Sequence, residues 1–306
     1  MSEKKQIIRS LVLVSLTLLI FGHGAHQTGL AQENDFIFEE DITYGKVGDV
    51  ELALDLARPA SGKGPFPVLV FIFGGGWSTG SRTQLHLGMW QAAERGYVAV
   101  TVDYRLTSVK ENGKTKYLFP AQVHDVKCAV RWLRANRRKY KIDPNRIGAL
   151  GFSSGGHLAL MLGLTDSSDG LEGECGKLKY SSRVQGVVSL AGTTELVSLY
   201  QESKEPLIET FLGDLLGGTP EEVPEQYKMA SPLTYVSKDD PPVLSIHGDM
   251  DLEVPLRQAE LLDVKMKEVG VSHTLIIKKD RGHCGIVNFL EDNTVWDFFD
   301  RHLKGD

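Results

Sequence analysis

The sequence predicts an α/β fold built on a mostly parallel, doubly wound sheet, with antiparallel strands at its N-terminal edge. Three observations predict it. The run Pro65–Phe73 is apolar throughout and ends against three glycines, as a strand buried on both faces requires. Strand-like runs then alternate with stretches of helical periodicity along the rest of the chain. Finally, Gly151-Phe-Ser-Ser-Gly155 stands between an apolar run and a helix-like run, the strand–turn–helix setting in which the middle serine is thrust outward.

Taken in order, Ile42–Lys46 and Val50–Leu56 flank a Gly-Asp turn, and the second run alternates apolar and polar residues, so the pair reads as an edge hairpin. Residues 65–73 form the first buried strand, Leu85–Arg95 a helix and Gly96–Asp103 the next strand. Val123, Val126, Val130, Trp132 and Leu133 recur at helical spacing within residues 120–140. Ile142-Asp-Pro-Asn145 is expected to end that helix, because the residue before a proline is steered out of the helical region. Arg146–Leu150 leads as a strand into the serine turn, and Gly156–Leu162 leaves it as a helix. Val184–Leu190 and Pro242–His247 are further strands, Pro255–Val269 a helix with proline near its start and glycine just past its end, and Thr274–Ile277 the last strand. Residues 293–303 read as a closing amphipathic helix. The stretch between Leu190 and Pro242 is acidic, holds Pro206, Pro220, Pro224 and Pro232, and is too long for an ordinary crossover. Its middle, residues 195–235, is expected to form a lid or pocket wall.

The N-terminus is basic through Arg9, apolar and uncharged over Leu11–Phe21, then polar with a Gly29-Leu-Ala31 tripeptide. That order is the pattern of a secretory signal peptide, expected to occupy residues 1–31 and to leave 32–306 as one domain in the periplasm or outside the cell. Its apolar run is short for a membrane span, which needs about 20 residues. The formal charge is −6, and losing Lys4, Lys5 and Arg9 against Glu3 would deepen it. A mildly acidic chain argues against nucleic acid or anionic lipid as a partner. The cysteines, Cys128, Cys175 and Cys284, are too few for a disulfide scaffold or a Cys-x-x-Cys metal framework. One bridge is open to an exported chain, with no pairing favoured, and Cys284 is expected to be a small buried filler.

A serine hydroxyl attacks poorly at neutral pH unless a base lies within hydrogen-bond reach and a carboxylate orients that base. Ser153 is the candidate nucleophile. The loop after the strand ending at His247 carries Asp249, Asp251 and Glu253; a carboxylate beyond the carboxyl end of a strand faces the crevice where ligands bind. Asp251 is the candidate acid, Asp249 its rival, and Glu253 reads as a solvated side chain. The last strand is followed by Gly282-His283-Cys-Gly285, where flanking glycines free His283 to reach the serine as the base. Gly75 and Gly76, after the first buried strand, and the N–H of Ser154, at the start of the helix, are the candidate oxyanion donors. Trp77 either walls the acyl pocket or packs inside.

Phe73-Gly-Gly-Gly-Trp77, Asp103-Tyr-Arg-Leu106, Gly151-Phe-Ser-Ser-Gly-Gly-His157, His247-Gly-Asp-Met-Asp251 and Gly282-His283 together resemble the BD-FAE-like, feruloyl esterase-type branch of the α/β-hydrolases, which neighbours the hormone-sensitive-lipase-like carboxylesterases. The resemblance spans roughly residues 40–304. It implies an α/β-hydrolase fold and hydrolysis of carboxylic esters through a Ser-His-Asp triad, with no metal or organic cofactor. It further implies acetyl, feruloyl or other short acyl groups on small molecules or carbohydrates. Phe73 departs from the family pattern, which places histidine before the three glycines to steady the loop. Two other readings stand beside this one: a serine peptidase or amidase of the prolyl-oligopeptidase type, and a non-catalytic binding protein on the same scaffold.

Overall fold

The computed structural model describes residues 35–286 and 293–305; the expected leader, residues 1–31, lies outside them. The main sheet has eight strands: β1 (Phe36–Val47), β2 (Val50–Pro59), β3 (Phe66–Ile72), β4 (Val98–Val102), β7 (Ile142–Phe152), β8 (Gly186–Leu190), β9 (Val243–Gly248) and β10 (His273–Lys278). The numbers omitted from it, β5 (Lys110–Glu111) and β6 (Lys114–Thr115), make a small separate hairpin. The spatial order is β1-β2-β4-β3-β7-β8-β9-β10. The β1–β2 and β2–β4 pairs are antiparallel, and every pair from β4 through β3 to β10 is parallel.

Side-chain alternation divides the core between the two faces. Along β3, Val68, Val70 and Ile72 join one apolar cluster while Leu69 and Phe71 join the other. The first face is covered by α2 (Ala121–Ala135), α3 (Ser154–Leu164) and α7 (Arg257–Glu268), through Val123, Val126, Leu158, Leu162 and Leu262. The second is covered by α1 (His86–Glu94) and α8 (Asn293–Phe299), through Met89, Ala92, Trp296 and Phe299. Each large apolar side chain among these contributes about 1.5–3 kcal/mol by leaving water, and the single methyl of Ala92 less. This two-sided cover is why β3 reads as an unbroken apolar run and β4 as one interrupted only by Thr101.

β7 starts earlier than expected. Ile142 already pairs with Phe66, and the register then shifts before Val68 pairs with Ile147. Pro144 lies inside β7 within this irregular stretch; α2 has already ended at Ala135, so the helix stops before the proline rather than because of it, which corrects the expectation that residues 142–145 end it. The stretch 191–241 folds into α4 (Leu196–Glu202), α5 (Leu207–Leu216) and α6 (Pro224–Ala230). Cys128 in α2 is bonded to Cys175, 47 residues on, and Cys284 is exposed, correcting the expectation of a buried filler. Gly45 makes room for the bridge: a Cβ there would come within 2.3 Å of the Cys175 sulfur. Among the described residues, no helix is long and apolar enough to cross a membrane.

Candidate active site

Three glycines set the position of Ser153. A Cβ on Gly151 would lie 2.1 Å from the carbonyl oxygen of Gly155, and one on Gly155 would lie 2.1 Å from that of Ile72 and 2.5 Å from that of Phe73. A Cβ on Gly74 would come within 2.7 Å of the Phe152 oxygen and 3.2 Å of the Ser153 Cβ. The ends of β3 and β7 and the start of α3 therefore touch backbone to backbone. Ser153 sits at this junction with φ 55° and ψ −122°, a conformation that costs a non-glycine residue about 1–3 kcal/mol. It is held from both sides: its N–H donates to Leu190 O at 2.8 Å, and its own carbonyl accepts from His157 N–H at 3.0 Å.

The hydroxyl meets an imidazole from a distant loop. Nε2 of His283 lies 2.9 Å from Oγ of Ser153, and Nδ1 of His283 lies 2.7 Å from Oδ2 of Asp251. A carboxylate only accepts, so Nδ1 carries the proton and Nε2 is left to accept from the serine. Glycine again permits the approach, since a Cβ on Gly248, at the end of β9, would strike the Arg281 carbonyl at 2.1 Å. The ring of Phe152 rests 4.9 Å from that of His283. Asp249 is exposed, and its N–H donates to Lys278 O at 3.3 Å; the contact to His283 is made by Asp251.

Asp251 is buried and heavily hydrogen bonded. Its Oδ1 accepts from the N–H groups of Glu253 at 3.0 Å and Val254 at 2.8 Å. His247, which the sequence reading placed only at a strand end, donates from Nε2 to Val254 O at 2.8 Å and stands 3.5 Å from Oδ2 of Asp251. Burial alone would raise the carboxyl's pKa; hydrogen bonds from His247 and His283, the charge of His283 and the Val254 N–H outweigh it and hold the group at about 2. A depressed carboxylate stabilises the fold above its unfolded value near 4 and loses that contribution as the pH falls towards 2. We expect wild type to be more stable than Asp251→Asn by about 2 kcal/mol at pH 5, with the gap closing between pH 4 and pH 2. Urea midpoints of both proteins across that range measure it, and a gap that holds steady would contradict the assignment.

The glycine loop is braced by aromatic rings. Phe73 is buried and stacks on Tyr104 at 4.4 Å and 12°, and the Tyr104 hydroxyl donates to Phe73 O at 3.1 Å. Stacking thus steadies the entry to the loop where the family pattern has a histidine. Gly75 and Gly76 follow with φ of 122° and 59°. A Cβ on Gly76 would lie 2.5 Å from the ring of Phe211, so α5 of the 191–241 stretch leans directly over the loop. Ser154 opens α3, where an N–H has no acceptor within its own helix. Trp77 is 2% exposed, and its Nε1–H donates to Nδ1 of His157 at 3.1 Å. The indole is buried, which is the packed arrangement of the two the sequence left open. His157 in turn donates from Nε2 to Ala230 O at 2.7 Å, and burial pushes its pKa down to about 4, keeping it neutral.

One group of metal-type ligands exists among the described residues: Glu40, Asp55 and His86, with ligand atoms within 4.8 Å of one another. It lies on β1, β2 and α1. Asp55 is already engaged there by Arg82 Nε at 2.9 Å and His86 Nε2 at 2.7 Å.

A family model described as BD-FAE matches residues 54–266. Over 239 residues, 77% of this chain and 53% of the relative, the sequence is 32% identical to a protein of Mycobacterium tuberculosis (strain ATCC 25618 / H37Rv) named as a probable carboxylic ester hydrolase, LipM. The chain spans a little over half the length of that relative. A truncated form of a carbohydrate esterase from gut microbiota superposes with a TM-score of 0.77 and 28% identity, covering 89% of this chain and 98% of that one. Esterase 2 of Thermogutta terrifontis, in a form phosphonylated by sarin, superposes with a TM-score of 0.72 and 27% identity, covering 87% and 95%. These likenesses place the sheet and its helices in the α/β-hydrolase fold.

Proposed function

The chain belongs to the BD-FAE family, and from that premise we propose that it is a secreted serine carboxylesterase acting on acetyl, feruloyl or other short acyl esters. The observation that carries this reading is the unbroken line of contacts from Ser153 Oγ through His283 to Asp251, at 2.9 and 2.7 Å. In the reaction, Nε2 of His283 takes the hydroxyl proton as Ser153 attacks the ester carbonyl. Asp251 holds the imidazole in the required tautomer and stabilises its charged form. The N–H groups of Ser154, Gly75 and Gly76 receive the negative oxygen of the tetrahedral intermediate, each donor contributing about 3 kcal/mol. The alcohol leaves with the proton from His283, and water releases the acyl group by the same route. No metal or organic cofactor enters any of these steps.

The likeness to a carbohydrate esterase supports sugar-linked esters as substrates. The bridge between Cys128 and Cys175 supports export, since such bonds persist in oxidising compartments.

Incubation with a fluorophosphonate is expected to add one phosphonyl group, located by peptide mass spectrometry on Ser153. Adduct formation must coincide with loss of p-nitrophenyl acetate hydrolysis. A label elsewhere, or full activity after labelling, would overturn the reading. Acetylated xylan, feruloyl sugars and p-nitrophenyl esters of rising length then identify the acyl group, and a prolyl anilide separates the peptidase alternative.

A further inference from the structure

We propose that Glu253 selects the alcohol half of the ester, favouring alcohols that carry a second hydroxyl on the carbon next to the esterified one. The inference rests on the ester-hydrolase reading above and adds a specificity to it.

The placement of Glu253 follows from the acid loop. Its N–H donates to Oδ1 of Asp251 at 3.0 Å, and its carbonyl accepts from Oγ of Ser203 at 2.8 Å, so the backbone is fixed from both the acid and the 191–241 stretch. The side chain then brings Oε2 to 3.8 Å from Nε2 of His283, the same nitrogen that faces Ser153. It is 45% exposed, and among the described residues its carboxylate accepts no hydrogen bond. A charged acceptor with unfilled capacity therefore stands at the reacting nitrogen, whereas Phe211 stands at the glycine loop.

Chemistry decides which half of the substrate meets it. The departing ester oxygen must take its proton from Nε2, so it comes within about 3 Å of that atom. The carbonyl oxygen turns the other way, towards the loop N–H groups. Glu253 and the leaving oxygen thus share a single nitrogen neighbour, and a hydroxyl one carbon along spans the gap to donate to Oε2. A methyl group in the same place leaves the carboxylate without a donor, and a carboxylate there is repelled.

The test compares isosteric acetates. Wild type is expected to show a higher kcat/KM for 2-hydroxyethyl acetate than for propyl acetate, and Glu253→Ala to lower that ratio by about fivefold, the effect of one exposed charge-assisted hydrogen bond. Glu253→Gln keeps the shape of the side chain and covers the case in which the alanine variant does not fold. It is expected to raise acetoxyacetate relative to propyl acetate by about threefold or more as the repulsion disappears. A carboxylate that acts only on the imidazole lowers all three rates together and leaves both ratios in place, which overturns the proposal. Failure of wild type to cleave any of the three overturns this inference, and the ester-hydrolase reading falls with it if the p-nitrophenyl esters and feruloyl sugars are left intact as well.

Discussion

Replacing Ser153 by alanine is expected to lower ester turnover by a factor of about 10⁴ to 10⁶ while the protein still melts in one cooperative transition. The loss is large because His283 and Asp251 act only through the hydroxyl they activate; what survives is the weaker effect of binding and of the oxyanion donors. Stability should barely move, since alanine is as strained as serine at φ 55° and ψ −122°. Glycine at the same position should be equally inactive yet more stable by about 1 kcal/mol, because it relieves that strain. Initial rates on p-nitrophenyl acetate and thermal melts of the three proteins give the result. Activity in the alanine variant within about tenfold of wild type would remove Ser153 from the reaction.

The second large effect is expected from Gly155→Ala. The added methyl would lie 2.1 Å from the Ile72 carbonyl oxygen and 2.5 Å from that of Phe73, and both obstacles are backbone atoms with no rotamer to change. Relief requires α3 to lift from the end of β3, so the cost is about 3 kcal/mol or more. The same displacement carries Ser153 and the Ser154 N–H away from the glycine loop, and an offset of about 1 Å can cost a hundredfold in rate. Gly213 in α5 is the control: a Cβ there meets nothing within 4 Å, so Gly213→Ala should stabilise by up to about 1 kcal/mol. Equal melting temperatures for the two alanine variants would show that the close contact at Gly155 is not a constraint.

The sequence made the parallel sheet legible because its central strands are covered on both faces, so β3 and β4 could be read from apolarity alone. The serine turn was legible because glycine is needed where backbones touch, and Gly151 and Gly155 mark that contact. The meeting of Ser153, His283 and Asp251 could be anticipated because each lies just beyond the carboxyl end of a parallel strand, and such ends converge on one side of a sheet. What escaped the reading depends on distances no local pattern carries. The early start of β7 depends on Phe66 pairing with Ile142 from another part of the chain. The bond between Cys128 and Cys175 depends on where the loop after α3 returns. His247 stands four residues before Asp251, a spacing that could have suggested a contact, but only the bend of the acid loop brings the two together. Trp77 was left open because an indole beside a substrate loop and one in the core have the same sequence context; its burial and its bond to His157 depend on a residue 80 positions away.

The bridge from Cys128 to Cys175 closes a covalent ring of chain, and Ser153 is a member of that ring. A protease that nicks the backbone once, at any bond between residues 129 and 174, therefore releases nothing: the two pieces remain one molecule, and the reactive serine stays attached on whichever side of the cut it falls. Only reduction, or a second cut, sets a fragment free. Electrophoresis of nicked protein with and without a thiol reductant makes the difference visible as one band against two.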